Sequence, residues 1–261
     1  MQPIDTHCHI HSPEFFNAKD VEAVYKESAD ELEAMILVGT SLADSKDATK
    51  FAKKHPGKCF SSVGIHPHEA EKMTKQQIES DIKELAEIAK SDSVRAIGEC
   101  GFDFFYNDKS KSIKHQTMLL EAQLQIALDL DLPLSFHIRE AFEEFWPVLD
   151  NFKNVRGVLH SFTDRQENLD NALARNLLIG INGIATFTTH DWQIEVFKTV
   201  PLKSVVLETD SPFLTPHPIR GKINKPINVT YVTNFLAELR GENAKHIITI
   251  TTTNARTLFR L

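Results

Sequence analysis

Cysteine is scarce in this 261-residue chain, and long apolar runs are missing from it altogether. The three cysteines, Cys8, Cys59 and Cys100, are odd in number and far apart, which is not the pattern of a disulfide framework. No stretch approaches the roughly 18 consecutive apolar residues of a membrane span, and no signal peptide is recognisable. We therefore expect a protein that works in the reducing cytoplasm without membrane contact.

Positive charge is also in short supply. The chain has 29 lysines and arginines against 36 aspartates and glutamates, which gives a formal net charge of −7. A broad basic surface that grips duplex nucleic acid is therefore not expected. A nucleic-acid substrate held locally by metal ions is still compatible with this charge.

Glycine is uncommon, at ten residues, and no glycine-rich phosphate loop follows an early apolar run, as a doubly wound sheet would need. Instead, eight short apolar segments alternate with longer helical stretches. This order predicts an α/β fold, a (β/α)8 TIM barrel, as a single domain over residues 1–261. The predicted strands are 3–7, 33–40, 59–66, 94–99, 132–137, 156–160, 177–182 and 204–210. The predicted helices are 75–91, 112–130, 139–152, 163–176 and 228–241.

Histidine, in contrast, is concentrated at the very start of the chain. His7 and His9 lie in the stretch DTHCH, where the first predicted strand ends. Side chains at positions i and i+2 of a strand point to the same face, so the two imidazoles are expected to project together, with Cys8 on the other side. Two neutral imidazoles side by side suit a divalent metal ion.

Polar residues also end most of the other predicted strands. In a barrel of this kind the active site lies at the carboxyl ends of the strands. Six of the eight predicted strands end there in a histidine or a carboxylate. These residues are His7 and His9, His66, Glu99, His137, His160 and Asp210.

Each of these residues has a simpler explanation when it is taken alone. A single histidine is more often a hydrogen-bonded structural residue, and Asp210 alone could cap a helix. Together, however, these imidazoles and carboxylates would repel or desolvate one another at high cost without a cation. The set therefore predicts a site for one or two divalent metal ions.

The same stretches resemble the TatD family of metal-dependent hydrolases, within the wider group of amidohydrolase-like barrels. DTHCHI, GIHPHEA, AIGECGFDFF, LPLSFHIREAF, VLHSFT, LETDSPFLTP and NARTLF follow one another from residue 5 to residue 259. The resemblance implies a hydrolase of ester bonds, a deoxyribonuclease acting on single strands or 3′ ends, with Mg²⁺, Mn²⁺ or Zn²⁺ in its site. No obligate protein partner is expected.

The resemblance also implies a role for each strand-end residue. Six of them would bind two metal ions: the first ion would be held by His7, His9 and Asp210, the second by His137 and His160, and Glu99 would bridge the two. Three residues would contact the phosphate or the scissile group: His66, Arg139 and Ser211.

Two departures from the family pattern bear on substrate choice. His11 stands where the family often has aspartate. Cys100, Phe104 and Phe105 occur where the family usually reads GEIGLDYY.

The chemistry fits these residues without the family name. Two metal ions bridged by Glu99 would lower the pKa of a bound water and polarise a phosphoryl oxygen. Asp210 can accept the proton of that water. Mixed imidazole and carboxylate ligands suit Zn²⁺ or Mn²⁺, whereas Mg²⁺ favours oxygen ligands.

Two alternatives stay open at this point. A cyclic-amide or ester hydrolase on the same barrel often bridges two metals with a carbamylated lysine, but the fourth strand, SVRAIGEC, offers Glu99 and no lysine. A non-catalytic protein with a structural metal would usually have a closed, cysteine-rich site. The open histidine and carboxylate set favours the phosphodiesterase.

Overall fold

The computed structural model describes residues 1–12, 18–105 and 108–261, and within them it has the predicted barrel. Eight parallel strands form one sheet in sequence order. They are β1 (Ile4–Cys8), β2 (Ala34–Val38), β3 (Cys59–Val63), β4 (Val94–Asp103), β5 (Leu134–Arg139), β6 (Gly157–Leu159), β7 (Leu178–Ile181) and β8 (Val205–Leu207). The first and last strands meet, because Asp210 N donates to His7 O at 2.8 Å and His9 N donates to Ser211 O at 2.7 Å.

Helices cover the outside of the sheet. They are α1 (Ala18–Glu31), α2 (Leu42–Lys54), α3 (Lys75–Ala89), α4 (Lys109–Asp129), α5 (Phe142–Leu149), α6 (Gln166–Ala174), α7 (Asp191–Thr199), α8 (Val229–Arg240) and α9 (Ala244–Phe259). The five predicted helices correspond to α3, α4, α5, α6 and α8. Among the described residues, no helix has the length and apolarity needed to cross a membrane.

The helix α9 shows why the sequence alone misses some elements. Its middle is rich in isoleucine and threonine, which are poor helix formers because their branched side chains are restricted. One face nevertheless buries Ile247, Ala255 and Leu258. The last turns of α9 pack in an apolar cluster with Ile4 and Ala34, the first residues of β1 and β2. The helix therefore covers the amino end of the barrel, and packing overrides local preference.

Three strand ends differ from the prediction by three or more residues. The strand β3 ends at Val63 rather than at 66, because Pro67 begins a 3₁₀ turn that His66 caps. The strand β4 continues to Asp103, four residues past the predicted end. The strand β8 ends at Leu207, before the turn that carries Asp210.

Two irregularities in the sheet lie at predicted metal ligands. From residue 5 to residue 8, β1 moves three residues along the chain while its partner β2 moves two. From residue 97 to residue 100, β4 shows the same register shift against β5. Each is a β-bulge, which adds one unpaired residue and turns side chains out of the regular alternation. His7 and Glu99 lie in these bulges.

Candidate active site

A cavity of about 780 Å³ opens at the carboxyl ends of the strands. Seven of the nine predicted site residues line it: His9, His66, Glu99, His137, Arg139, His160 and Asp210. His7 is fully buried behind them. The predicted rim of the barrel is therefore the place where the polar side chains meet.

Glu99 lies at the centre of this cluster, with four imidazoles around its carboxylate. Its oxygens are 2.7 Å from His137 Nδ1, 3.4 Å from His7 Nε2, 3.6 Å from His66 Nε2 and 3.8 Å from His160 Nε2. Burial alone would raise the pKa of this carboxyl, but the surrounding imidazoles outweigh it and hold the pKa well below its usual range. Glu99 is therefore a buried, ionised carboxylate.

Three groups of side chains have ligand atoms close enough to share a cation. In each group the ligand atoms all lie within 4.8 Å of one another. The groups are His7, His9 and Glu99; His66, Glu99 and His137; and His7, His160 and Asp210. All six predicted metal ligands belong to these groups, and Glu99 and His7 each belong to two of them.

The outward-facing ring nitrogens of His9 and His160 each lie beside an oxygen atom. His9 Nδ1 donates to Val38 O at 2.7 Å, and His160 Nδ1 lies 2.9 Å from Oε1 of the buried Glu208. A carbonyl or an ionised carboxylate can only accept, so the proton of the neutral ring belongs on Nδ1. Nε2 of each ring then presents its lone pair to the cavity, which is what a metal ligand requires.

The ring of His137 is also oriented by an acceptor, but here Nε2 contacts that acceptor and Nδ1 faces the cluster. Its Nε2 donates to Asp103 Oδ2 at 3.0 Å, and the same oxygen accepts from His68 Nε2 at 2.9 Å. Its Nδ1 faces Glu99 Oε1 at 2.7 Å and donates to it when the ring is protonated, so Nδ1 is the nitrogen that a metal ion would take over. Asp103 is buried and accepts from both rings, so it orients a candidate ligand from behind.

His66 has the opposite arrangement. Its Nδ1 accepts the backbone N–H of His68 at 3.1 Å, so the proton of the neutral ring belongs on Nε2. Burial and the neighbouring His137 lower the pKa of His66 to about 4, which keeps the ring neutral. Its Nε2 points into the cavity as a donor, which fits contact with an anionic substrate better than metal binding.

The imidazoles of His137 and His160 favour the protonated form when no metal competes for them. Burial lowers the pKa of His137, but Asp103 and Glu99 outweigh it and raise the value to about 9. Glu208 and Glu99 likewise outweigh burial and raise the pKa of His160 to about 10. The carboxylates of the cluster therefore stabilise positive charge in the cavity.

Asp210 reaches the cluster from a turn after β8. Its Oδ1 lies 3.3 Å from His9 Nε2 and 3.8 Å from His7 Nε2. Its φ of 56° is in the left-handed region, which aspartate tolerates better than most residues. Burial would raise the pKa of Asp210, but His9 and the other imidazoles lower it, so the carboxylate is ionised.

The remaining predicted residues, Arg139 and Ser211, occupy different surroundings. Arg139 is exposed at the mouth of the cavity, with its guanidinium carbon 3.8 Å from the ring centroid of Phe105. Ser211 is fully buried and does not belong to the cavity lining; its Oγ has no hydrogen-bond partner among the described residues. Its backbone instead pairs with Cys8 and closes the barrel.

Sequence reasoning misses the carboxylates that support the site. Asp103 and Glu208 lie four residues after Glu99 and two before Asp210, and their proximity in the chain is the signal that could have drawn attention to them. Asp44 is a third case: its Oδ1 is 3.1 Å from His11 Nε2, and it lines the cavity from α2.

Comparison with known proteins shows what the chain is similar to. Residues 4–260 match the sequence model of TatD-related DNases. The chain is 35% identical over 252 residues to the 3′-5′ ssDNA/RNA exonuclease TatD of Pantoea vagans, which covers 94% of this chain and 95% of that protein. It is 31% identical to the metal-dependent hydrolase YabD of Bacillus subtilis, over 98% of each chain.

A solved structure extends the likeness to three dimensions. The crystal structure of YJJV, a TatD homologue from Escherichia coli, superposes with a TM-score of 0.88 at 28% identity. The match covers 99% of this chain and 98% of that one.

Proposed function

Because the chain belongs to the family of TatD-related DNases, we propose that it is an exonuclease that removes nucleotides from the 3′ end of single-stranded DNA or RNA. The family confirms the predicted metal-dependent hydrolase of ester bonds. The observation that carries the proposal is the ionised Glu99 among four imidazoles at the base of an open cavity. The whole chain would act as one domain, and its cytoplasmic location stays a prediction.

The donor set fits two divalent cations. His7, His9 and Asp210 would hold one ion, and His137 and His160 the other, with Glu99 between them. One ring nitrogen each of His9, His137 and His160 faces the cavity, which supports this assignment. Mixed nitrogen and oxygen ligands favour Mn²⁺ or Zn²⁺. When bound, such ions lower the pKa of water and neutralise charge on phosphoryl oxygens.

The residues of the chain would supply the remaining steps. Asp210 is ionised and beside the cluster, so its Oδ1 can accept the proton of the attacking water. His66 would donate a hydrogen bond from its Nε2–H to a non-bridging phosphate oxygen. Arg139, at the cavity mouth, would bind the same phosphate through its planar guanidinium.

Glu99 also separates this proposal from a cyclic-amide hydrolase. The bulge in β4 presents a carboxylate, and no lysine, between the imidazoles. A carbamylated lysine bridge therefore has no counterpart at this position. The ester that the site is best suited to hydrolyse is a phosphodiester.

The test is hydrolysis of a single-stranded oligonucleotide labelled at one end, with Mn²⁺, Mg²⁺ or Zn²⁺ supplied in turn. With a 5′ label we expect a ladder of fragments that shorten one nucleotide at a time. Release of the 5′ nucleotide first, or internal cuts alone, would contradict the 3′ direction. No cleavage with any of the ions would contradict the nuclease itself.

A further inference from the structure

Trp192 is exposed at the start of α7, with 36% of its surface accessible. The ring of His190 stacks beside it, with centroids 5.6 Å apart and planes 19° from parallel. The guanidinium carbon of Arg165 lies 5.0 Å from the centroid of the Trp192 ring. We call Arg165, His190 and Trp192 the Trp192 platform.

The Trp192 platform lies on the side of the barrel where the cavity opens. Arg165 precedes α6 and His190 precedes α7, and the amino ends of barrel helices follow the carboxyl ends of the strands. Gln193 Nε2 donates to Thr163 O at 2.8 Å. Thr163 lines the cavity, so the platform continues its rim.

The charge of Arg165 is not neutralised. Within the part of the chain that the structure describes, no carboxylate lies within ion-pair distance of its guanidinium. Arg175, at the other end of α6, is a useful contrast. It also covers a tryptophan, Trp146, at 4.8 Å, but it pairs with Asp150 at 2.7 Å.

A second arginine–aromatic pair lies in segments that follow strands of the barrel. The guanidinium carbon of Arg220 is 3.8 Å from the ring centroid of Phe187, in the segments after β8 and β7. On the other side of the cavity Arg139 covers Phe105 in the same manner. Arginine on an exposed ring combines a site for phosphate with a surface on which a base can stack.

We propose that the Trp192 platform is a second binding site for the substrate strand, outside the cavity where the bond is cut. An unpaired base stacks on the exposed part of the Trp192 ring, and Arg165 binds a neighbouring phosphate. Both contacts require an unpaired base and a phosphate, so the ligand is single-stranded nucleic acid. The inference rests on the proposed function and adds to it a site that only longer strands reach.

The experiment compares substrate lengths. Wild type, Trp192→Ala and Arg165→Ala are assayed on a dinucleotide and on a single strand of about ten nucleotides. We expect KM for the long strand to rise about tenfold in each variant, since stacking on an aromatic residue typically contributes that much or more per base. We expect kcat for the long strand and both parameters for the dinucleotide to stay at wild-type values.

Arg175→Ala is the matched control, because it removes a guanidinium from a tryptophan at the opposite end of the same helix. We expect it to leave KM for the long strand unchanged. Trp192→Phe keeps an aromatic face and should restore most of the affinity that Trp192→Ala loses.

The outcomes separate the two proposals. Wild-type KM values for the long strand in Trp192→Ala and Arg165→Ala would overturn the Trp192 platform while the nuclease stands. An equal rise of KM for both lengths would also overturn it, since the effect would then come from the catalytic site. A wild type that neither cuts nor binds either strand would overturn the proposed function, and the platform with it.

Discussion

At the scale of single residues, the histidines of the cavity differ in the hydrogen-bond partner of the ring nitrogen that faces away from the cavity. Val38 O and the carboxylate of Asp103 fix the protons of His9 and His137 on the outward nitrogens. The backbone N–H of His68 does the reverse for His66. Under the proposed function, their neighbours would therefore divide residues of one type into metal ligands and a hydrogen-bond donor.

The first prediction concerns Asp210. Asp210→Asn keeps the shape and a weak ligand oxygen, but an amide cannot accept a proton. We expect metal and substrate to bind while kcat falls by about 10²–10⁴-fold. Steady-state kinetics at saturating metal, together with metal content, measure the two effects separately.

Glu69→Gln is the control for Asp210→Asn, because Glu69 is a carboxylate of the cavity lining that pairs with Lys72. Its kcat should stay within about twofold of wild type, as surface changes usually allow. Near-normal kcat for Asp210→Asn would remove the base role. A deficit that extra metal fully repairs would leave Asp210 as a ligand only.

The second prediction follows from the raised pKa values of His137 and His160, about 9 and about 10 against 6.5 for an ordinary histidine. Their protonated forms stabilise the metal-free protein fully below about pH 6.5, and this stability is lost as the pH rises through 9 to 10. Metal must displace these protons, so its apparent affinity should rise with pH up to that range.

Calorimetric titration of the metal-free protein with Mn²⁺ tests this, at about pH 6.5, 7.5 and 8.5 and in buffers of different ionisation enthalpy. We expect proton release on binding and tighter binding at each higher pH. A metal affinity that does not change with pH, with no proton release, would show that metal binding does not displace protons from the two imidazoles.

At the scale of elements, the bulge in β4 places Glu99, and two glycines make it possible. Gly98 has φ 138° and Gly101 has φ 147°. A Cβ on Gly98 would lie 2.3 Å from Ser135 O, and one on Gly101 would lie 2.1 Å from His137 O. The backbone of β4 therefore approaches β5 at a distance that only glycine permits.

The third prediction is that Gly101→Ala destabilises the fold by about 3 kcal/mol, through left-handed strain and overpacking against β5. Gly57→Ala is the control, because φ is also positive there, at 78°, but nothing lies within 4 Å of the added Cβ. Strain alone should cost about 1 kcal/mol. Urea unfolding of both variants measures the difference, and equal losses would show that the close approach to β5 is not limiting.

The elements also show how far the sequence predicts the site. The candidate ligands were predictable because each follows an apolar run, as Glu99 does, although β4 continues beyond it. The partners that orient them were not predictable. Val38 and Asp103 belong to the strands beside those of His9 and His137, and a bulge changes the register of each strand pair. The family resemblance implies a substrate contact for Ser211, whereas its hydroxyl is buried where its backbone pairs with β1.

At the scale of the whole molecule, the barrel was predictable from the order of the segments. The eight strands follow the predicted order. The helices α1, α2, α7 and α9 were not predicted, and for α9 the reason is that tertiary packing outweighs its threonine content. With a net charge of −7, the positive charge that the substrate meets must be local.

The fourth prediction concerns that local charge. If Arg139 and Arg165 contact two or three phosphates, the slope of log K against log salt for a single strand should be about −1.4 to −2.1. Arg165→Ala should make it shallower by about 0.7. Fluorescence anisotropy of a labelled strand over a range of salt concentrations gives the slope. A slope near −6 would reveal an extended basic track.

The central claim is that Glu99 bridges two ions at a hydrolytic site. It is tested most directly by the turnover of a single-stranded oligonucleotide while metal is returned to the chelated protein. After chelation the wild type should be inactive, and activity should return as about two equivalents of Mn²⁺ bind. Glu99→Gln should bind less metal than His137→Ala or His160→Ala and should stay inactive. Full turnover in excess chelator, or a Glu99→Gln variant with two bound ions and normal kcat, would contradict the bridged centre.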